Sequence, residues 1–377
     1  DYVQILYVDI KADLIATITE ASALYGNGEG IDADLLKAAI DEAQGVNDKA
    51  DASMEEISNA NDMLKETIYA YRLANASEKA PIDFTELIYN PSFEIEGTKG
   101  WTASGMSKQT NEVFSQKDGS AYLEAWTSAG NKIKDVSIKQ SISGLRKGNY
   151  QLSAKALHIQ QTGSGSTVNK GAPQTGGFIY AGSSRTAVTN MGTYKVKFSV
   201  VEDNGSVEIG AMTENPTGNY FCIDDFKLNY IGRASSSDYA AELQALVDKC
   251  NAYLENGFQQ SAKDLLASAI SDATAALEDK TTDAEGNTVY NDEKITEAYV
   301  ALLNAFETAE ASYAIYLEIA DRIAYAKDVY GWWKDDARKE KIVADLKAAI
   351  ESTEQVIKDY TLTEEQLDSA RTELVTK

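Results

Sequence analysis

Leu87-Ile88-Tyr89-Asn90-Pro91-Ser92-Phe93-Glu94, followed by Gly100-Trp101, pairs at a distance with Asn219-Tyr220-Phe221-Cys222-Ile223-Asp224-Asp225-Phe226-Lys227-Leu228-Asn229-Tyr230. These two stretches decide the fold. The first joins a short apolar run to a Pro-containing turn, an apolar-acidic pair and a Gly-Trp step. The second has strand propensity and no helix signature. Its adjacent carboxylates, Asp224 and Asp225, interrupt an otherwise apolar run. A buried carboxylate needs a partner, often a cation.

Between these stretches the apolar residues alternate. Tyr150, Leu152, Ala154 and Ala156 share one face, as do Tyr194, Val196, Phe198 and Val200. Asp203-Asn204-Gly205 separates two such runs and reads as a hairpin turn. Residues 162–176 read as a long polar loop, of a length that in compact domains is often functional or disordered. Many short strands with turns between them predict a β-sandwich over residues 84–232. Asp224 has the strand parity of Phe226 and Leu228, whereas Asp225 points the other way.

Helical periodicity governs both flanks. Leu14, Ile18, Ala21 and Tyr25 are spaced as one helix face, and Gly26-Asn27-Gly28 ends the run. Asp32 is placed to cap a second helix, and Ser53-Met54-Glu55-Glu56 fits a capping box for a third. Leu36-Lys37-Ala38-Ala39-Ile40 returns as Leu266-Ala267-Ser268-Ala269-Ile270 and again as Leu346-Lys347-Ala348-Ala349-Ile350. The downstream Ile57/Ala60/Leu64 pattern also recurs, at Ile295/Ala298/Leu302 and Leu367/Ala370/Leu374. The expected organisation is therefore a three-helix module over 1–80, the sandwich over 84–232, and further three-helix modules over 238–311 and 312–377. The third copy stops soon after Leu374, as a piece of a longer chain with further domains would. From Asp292 to Asp328 there is neither Pro nor Gly. That predicts one continuous helix of roughly 55 Å shared by the last two modules.

The N-P-S-F-E…G-W opening, the I-D-D-F-K-L-x-Y close and the middle run Ile138-Lys139-Gln140-Ser141-Ile142-Ser143-Gly144-Leu145-Arg146-Lys147-Gly148-Asn149-Tyr150 resemble the galactose-binding-like jelly roll. That is the fold of many carbohydrate-binding modules, here of the type on secreted proteins of Bacteroidetes. The helical units resemble FIVAR-type modules, spacers in bacterial surface proteins. The resemblance implies a multidomain α and β chain, a jelly roll flanked by three-helix repeats, at an extracellular or outer-membrane surface. It also implies a structural Ca2+ held by Glu94 and by Asp224 or Asp225 with backbone carbonyls, and a glycan partner. Sugar modules stack an aromatic face on a pyranose and bond its hydroxyls from nearby polar groups. Trp126, Tyr122, Tyr180, Tyr220 and His158 are the candidates, and Glu124 with Trp126 matches an acidic-x-aromatic pattern of the resembled modules. Trp101 and Tyr150 are expected in the core.

Composition narrows the function. Thirty-five basic against 59 acidic residues give a net charge of −24, with no basic patch for a phosphate backbone or an anionic membrane. The apolar stretches are too short to span a bilayer, and Asp1 and Asp9 argue against a signal peptide at the start. With one histidine, His158, a Ser-His or Cys-His nucleophile system has little room. Cys222 and Cys250 offer no metal spacing and read as small buried hydrophobes. Trp332-Trp333, after Gly331, read as a helix-turn staple with one ring buried or as an exposed contact. The expected function is a non-catalytic, extracellular carbohydrate-binding protein or region with helical spacers. The alternatives are a structural or adhesion surface protein binding a protein partner, and an accessory region of a larger glycan-degrading enzyme.

Overall fold

The computed structural model describes residues 2–161 and 171–376. They form two compact units, Asp1–Ala234 and Ser235–Lys377. The chain is a mixed α and β protein with a β-sandwich domain.

In the first unit, helices α1 (Tyr2–Tyr25), α2 (Ala33–Asp48) and α3 (Met54–Ala74) form a bundle. Leu14, Leu36, Ile57 and Leu64 are its buried centre, each contributing about 1.5–3 kcal/mol of apolar burial. Ser53 and Glu56 complete the expected capping box. Asp32 makes no cap bond: it sits at φ 63, left-handed, with its side chain off the helix end.

The sandwich follows. One sheet runs β10 (Gly192–Val200), β6 (Gly148–Gln160), β12 (Tyr220–Gly232), β4 (Tyr122–Trp126), β3 (Ser107–Gln109), with β1 (Ile82–Asp83) on β12 and β7 (Ala172–Pro173) on β6. The other runs β2 (Thr102–Ser104), β5 (Ser137–Leu145), β11 (Gly205–Thr213), β8 (Gly177–Ala181), β9 (Ser184–Val188). Inward residues of both sheets share one core that includes Tyr150, Leu152, Ile138, Ile209 and Phe221, and Leu73 at the end of α3 joins it.

Residues 88–101 form turns, with Asn90, Phe93 and Glu96 at φ of 54, 55 and 47. Their aromatic rings still reach the core: Trp101 lies 5.4 Å from Phe93 and 4.9 Å from Phe226. Two expectations are corrected here. Asp203-Asn204-Gly205 is no hairpin, since β10 and β11 lie in different sheets. The turn carries the chain across the sandwich, and Asp203 Oδ1 accepts from the Lys147 N–H at 3.0 Å, tying two crossovers together. The parity of Asp224 is reversed. A bulge between Asp224 and Lys227, with Asp225 at φ 52, sends Phe226 and Leu228 inward while Asp224 stays with Tyr220 and Cys222 on the outer face.

In the second unit, α4 (Ser236–Tyr253), α5 (Gln260–Glu278) and the start of α6 (Asp292–Trp333) pack together, and the rest of α6 packs with α7 (Glu340–Val356) and α8 (Glu364–Thr376). The shared helix is continuous for 42 residues. At its middle the Ser312 hydroxyl oxygen accepts from the Gln259 N–H at 3.0 Å, and the Tyr316 hydroxyl donates to the Asp359 carbonyl at 3.0 Å. A small hairpin, β13 (Lys280–Thr282) with β14 (Thr288–Tyr290), interrupts the helices and was not foreseen. Its tip is tied by Asp283, whose carboxylate accepts from the Glu285 and Asn287 N–H groups. Gly331 does not end α6, and neither following ring is buried: Trp332 is 68 % and Trp333 39 % exposed, with Lys339 Nζ over the Trp333 ring. Both cysteines are free and buried, and burial pushes the Cys250 thiol up to about 12.

Candidate ligand-binding face

Alternation along Tyr122-Leu123-Glu124-Ala125-Trp126 builds the candidate site. Leu123 and Ala125 enter the core; Tyr122, Glu124 and Trp126 face outward. β12 lies beside them in register, Tyr220 opposite Trp126 and Cys222 opposite Glu124. Three of the five ligand candidates, Trp126, Tyr122 and Tyr220, thus share the outer face of the larger sheet.

Most of that face is covered. Segment 110–121 crosses it, and Phe114 packs edge-on to Tyr122 at 5.5 Å, closing a small second core with Leu157, Ile159, Tyr220 and Cys222. A buried polar network underlies this cover. Tyr220 donates to Glu124 Oε2 at 2.7 Å, Gln109 Nε2 donates to Oε1 at 3.1 Å, and Tyr122 donates to Asn111 Oδ1 at 2.8 Å. Burial pushes both phenols well above the usual tyrosine range, so they act as neutral donors. Glu124, Tyr122 and Tyr220 are consequently supports, while Trp126 stands at the rim, 64 % exposed.

Asn219, which the sequence reading left without a role, sets that rim. Its main-chain carbonyl accepts from the Thr127 N–H at 2.9 Å and its side-chain amide donates to the Thr127 carbonyl at 3.0 Å. Its Oδ1 takes the Gln161 N–H at 2.7 Å. One fully buried amide therefore clamps the chain just after Trp126 to the end of β6. The only legible signal was position, immediately before the closing strand. Of the polar loop, residues 162–170 lie outside the described residues.

The other two candidates are elsewhere. Tyr180 belongs to the smaller sheet, where its ring lies over Gly210 and its hydroxyl donates to Glu208 at 2.9 Å. His158 is fully buried inside the sandwich, edge-on to Phe221 and crowded by Gly177 and Gly218. Among the described residues neither ring nitrogen meets a partner at bonding geometry, and burial pulls its pKa down to about 4, offset in part by the Val188 main chain.

Two of the three carboxylates named for a metal, Glu94 and Asp224, accept hydrogen bonds from segment 110–121. Glu94 Oε1 accepts from the Ser120 and Ala121 N–H groups and Oε2 from the Ser120 hydroxyl. Burial pushes Glu94 up, but these bonds prevail and hold it below the usual range. Asp224 Oδ2 accepts from the Asp118 N–H at 2.6 Å, and burial pushes this carboxyl up to about 7. Asp225 pairs with Lys155 at 2.9 Å and Lys227 at 3.6 Å.

No family model matches the chain, and no curated protein sequence matches it. Among solved structures it is similar to a family 61 carbohydrate-binding module in complex with β-1,4-galactotriose, at 15 % identity and TM-score 0.29, covering 38 % of this chain and 96 % of that one. It is similar to a Stig cyclase from Fischerella sp. TAU, at 12 % identity and TM-score 0.32, over 41 % of this chain and all of the other. A family 16 carbohydrate-binding module aligns at 17 % identity and TM-score 0.26, over 38 % and 98 %. Likenesses of this size assign neither ligand nor activity.

Proposed function

We propose that the sandwich is a non-catalytic carbohydrate-binding domain that stacks a neutral or basic glycan on Trp126, outside the cell, with the helical bundles as spacers. The observation that carries this reading is the position of Trp126: a large aromatic ring, 64 % exposed, on a strand whose alternate residues are core, beside clamped polar main chain. An exposed flat ring offers an apolar face to a pyranose, and nearby amides and carbonyls meet its hydroxyls. The net charge of −24 disfavours strongly anionic polymers. One stacked ring and solvent-competed hydrogen bonds leave little surplus after the roughly 4 kcal/mol or more lost on association, so dissociation constants near 1 mM follow. Repetition on a surface would supply avidity. Among the described residues no helix is long and apolar enough to cross a membrane.

The test is titration of the whole chain against a panel of neutral, basic and acidic oligosaccharides. Millimolar binding to a neutral or basic member, lost in Trp126→Ala, supports the reading. Silence across the panel at millimolar concentrations transfers the domain to the spacer or adhesion class.

A further inference from the structure

The last bundle differs from the other two at one place. Helices α6 and α7, with the end of α8, leave an open groove of about 730 Å3, lined by Tyr325, Val329, Ile342, Val343, Leu346 and Leu374. Tyr325 is 67 % and Ile342 59 % exposed. Contiguous apolar surface of this kind marks an interaction site.

The internal repeat identifies what covers it. Ala21, Cys250 and Ala326 are equivalent on the first helices, Leu36, Leu266 and Leu346 on the second, and Leu64, Leu302 and Leu374 on the third. In that register Ile342 corresponds to Ala262, which is buried, Tyr325 to Lys249, and Val329 to Leu24 and Tyr253. In the first bundle the third helix fills this place with Ile68 and Tyr71, four and seven positions after Leu64. Both are buried in one cluster with Ala21 and Leu36, and Leu24 packs against it. In the middle bundle Phe306 and Ala309 stand at the same positions after Leu302 and are buried. The Phe306 ring meets Tyr253 edge-on at 4.9 Å, and Lys249 Nζ lies 4.3 Å from its centroid. The open groove is the counterpart of these two filled places.

We propose that the groove docks an amphipathic helix that runs in line with α8. That helix presents a large apolar side chain four positions after Leu374 and a second apolar or tyrosyl side chain three positions later. Its remaining positions face solvent and are polar. Tyr325, Val329 and Ile342 are then covered as Lys249, Tyr253 and Ala262 are covered in the middle bundle.

Thermal melting of the full chain tests this, with a copy of Ile68–Ala74 appended after Lys377. That register puts the copy's Ile68 and Tyr71 at the two stated positions. The expected result is a transition of the second unit raised by about 4 °C or more, with no rise when the copy carries Ile68→Ser and Tyr71→Ser. Ile342→Asp, at an exposed position, should leave the unmodified chain near wild type and cancel the gain of the appended one. No rise with the appended copy overturns the proposal, as does an equal rise with both copies, which would reflect only a longer α8. Sedimentation reads the remaining outcome: an unmodified chain that self-associates, and becomes monomeric once the copy is appended, gives the groove to a second copy of this chain and overturns the proposal too.

Discussion

Trp126 and Tyr220 are cross-strand partners in register on β4 and β12, yet the first ring is open to solvent and the second is buried with its hydroxyl on Glu124. Neighbours on one face thus differ in surroundings: one ring meets solvent, the other is packed and hydrogen-bonded. Trp126→Ala should abolish glycan binding while leaving the melting point within about 1 °C, because little packing is lost at so exposed a site. Tyr220→Phe should do the converse in part, removing about 1–3 kcal/mol of stability by leaving buried Glu124 short of a donor. Calorimetry and titration on the two proteins separate these roles, and a Trp126→Ala protein that unfolds would place the ring in the core.

Tyr180 supplies the control for the face. It lies on the opposite sheet, bonded to Glu208, which also pairs with Lys139 at 2.8 Å. Tyr180→Phe should leave glycan affinity unchanged within twofold and reduce stability by about 1 kcal/mol, the loss of one hydrogen bond. An affinity drop equal to that of Trp126→Ala would move the site to the smaller sheet.

His158 should make the sandwich acid-sensitive. Its folded pKa of about 4 lies below the ordinary 6.5, so the unfolded chain binds the proton more tightly. The contribution of the neutral ring is complete above about pH 6.5 and is lost as pH falls towards 4, up to about 3 kcal/mol. Denaturant unfolding of wild type and His158→Leu at pH 7 and pH 4.5 measures it. The gap between the two proteins should shift in favour of the variant at the lower pH. Parallel pH dependences would show that the imidazole is not desolvated.

The last two bundles should unfold as one. The α6 ladder passes Ser312 without a break, and the Gln259 N–H bonds to that residue from the α4–α5 connection. Cooperativity propagates through such shared elements. Inserting Gly-Pro at Ser312 should split one thermal transition into two. Two transitions in the wild-type unit would refute the coupling.

Period-2 runs at Tyr150–Ala156 and Tyr194–Val200 made the sandwich legible, and the absence of breakers after Asp292 made the long helix legible. What escaped depended on contacts remote in sequence. Nothing local at Asp225 announces a left-handed bulge, yet the bulge there turns Asp224 to the outer face, where the strand parity had put it with Phe226 and Leu228. Asp203-Asn204-Gly205 turns the chain as expected, but whether a turn joins neighbours in one sheet or crosses between two is decided by strand pairing, not by the turn. Trp126, Tyr122 and Tyr220 could be placed on one face by parity. Their separation into exposed ring and buried supports required Phe114, a lone aromatic in a polar stretch whose covering role no pattern revealed.

The 42-residue helix α6 has a mechanical consequence. Where one helix is the last of one bundle and the first of the next, no loop stands in series between them. Tension applied along that helix is borne by its own main-chain ladder and by two sets of flanking side chains at once. Such a joint has no slack to extend before packing must yield, so force travels through the two bundles as through a single strut.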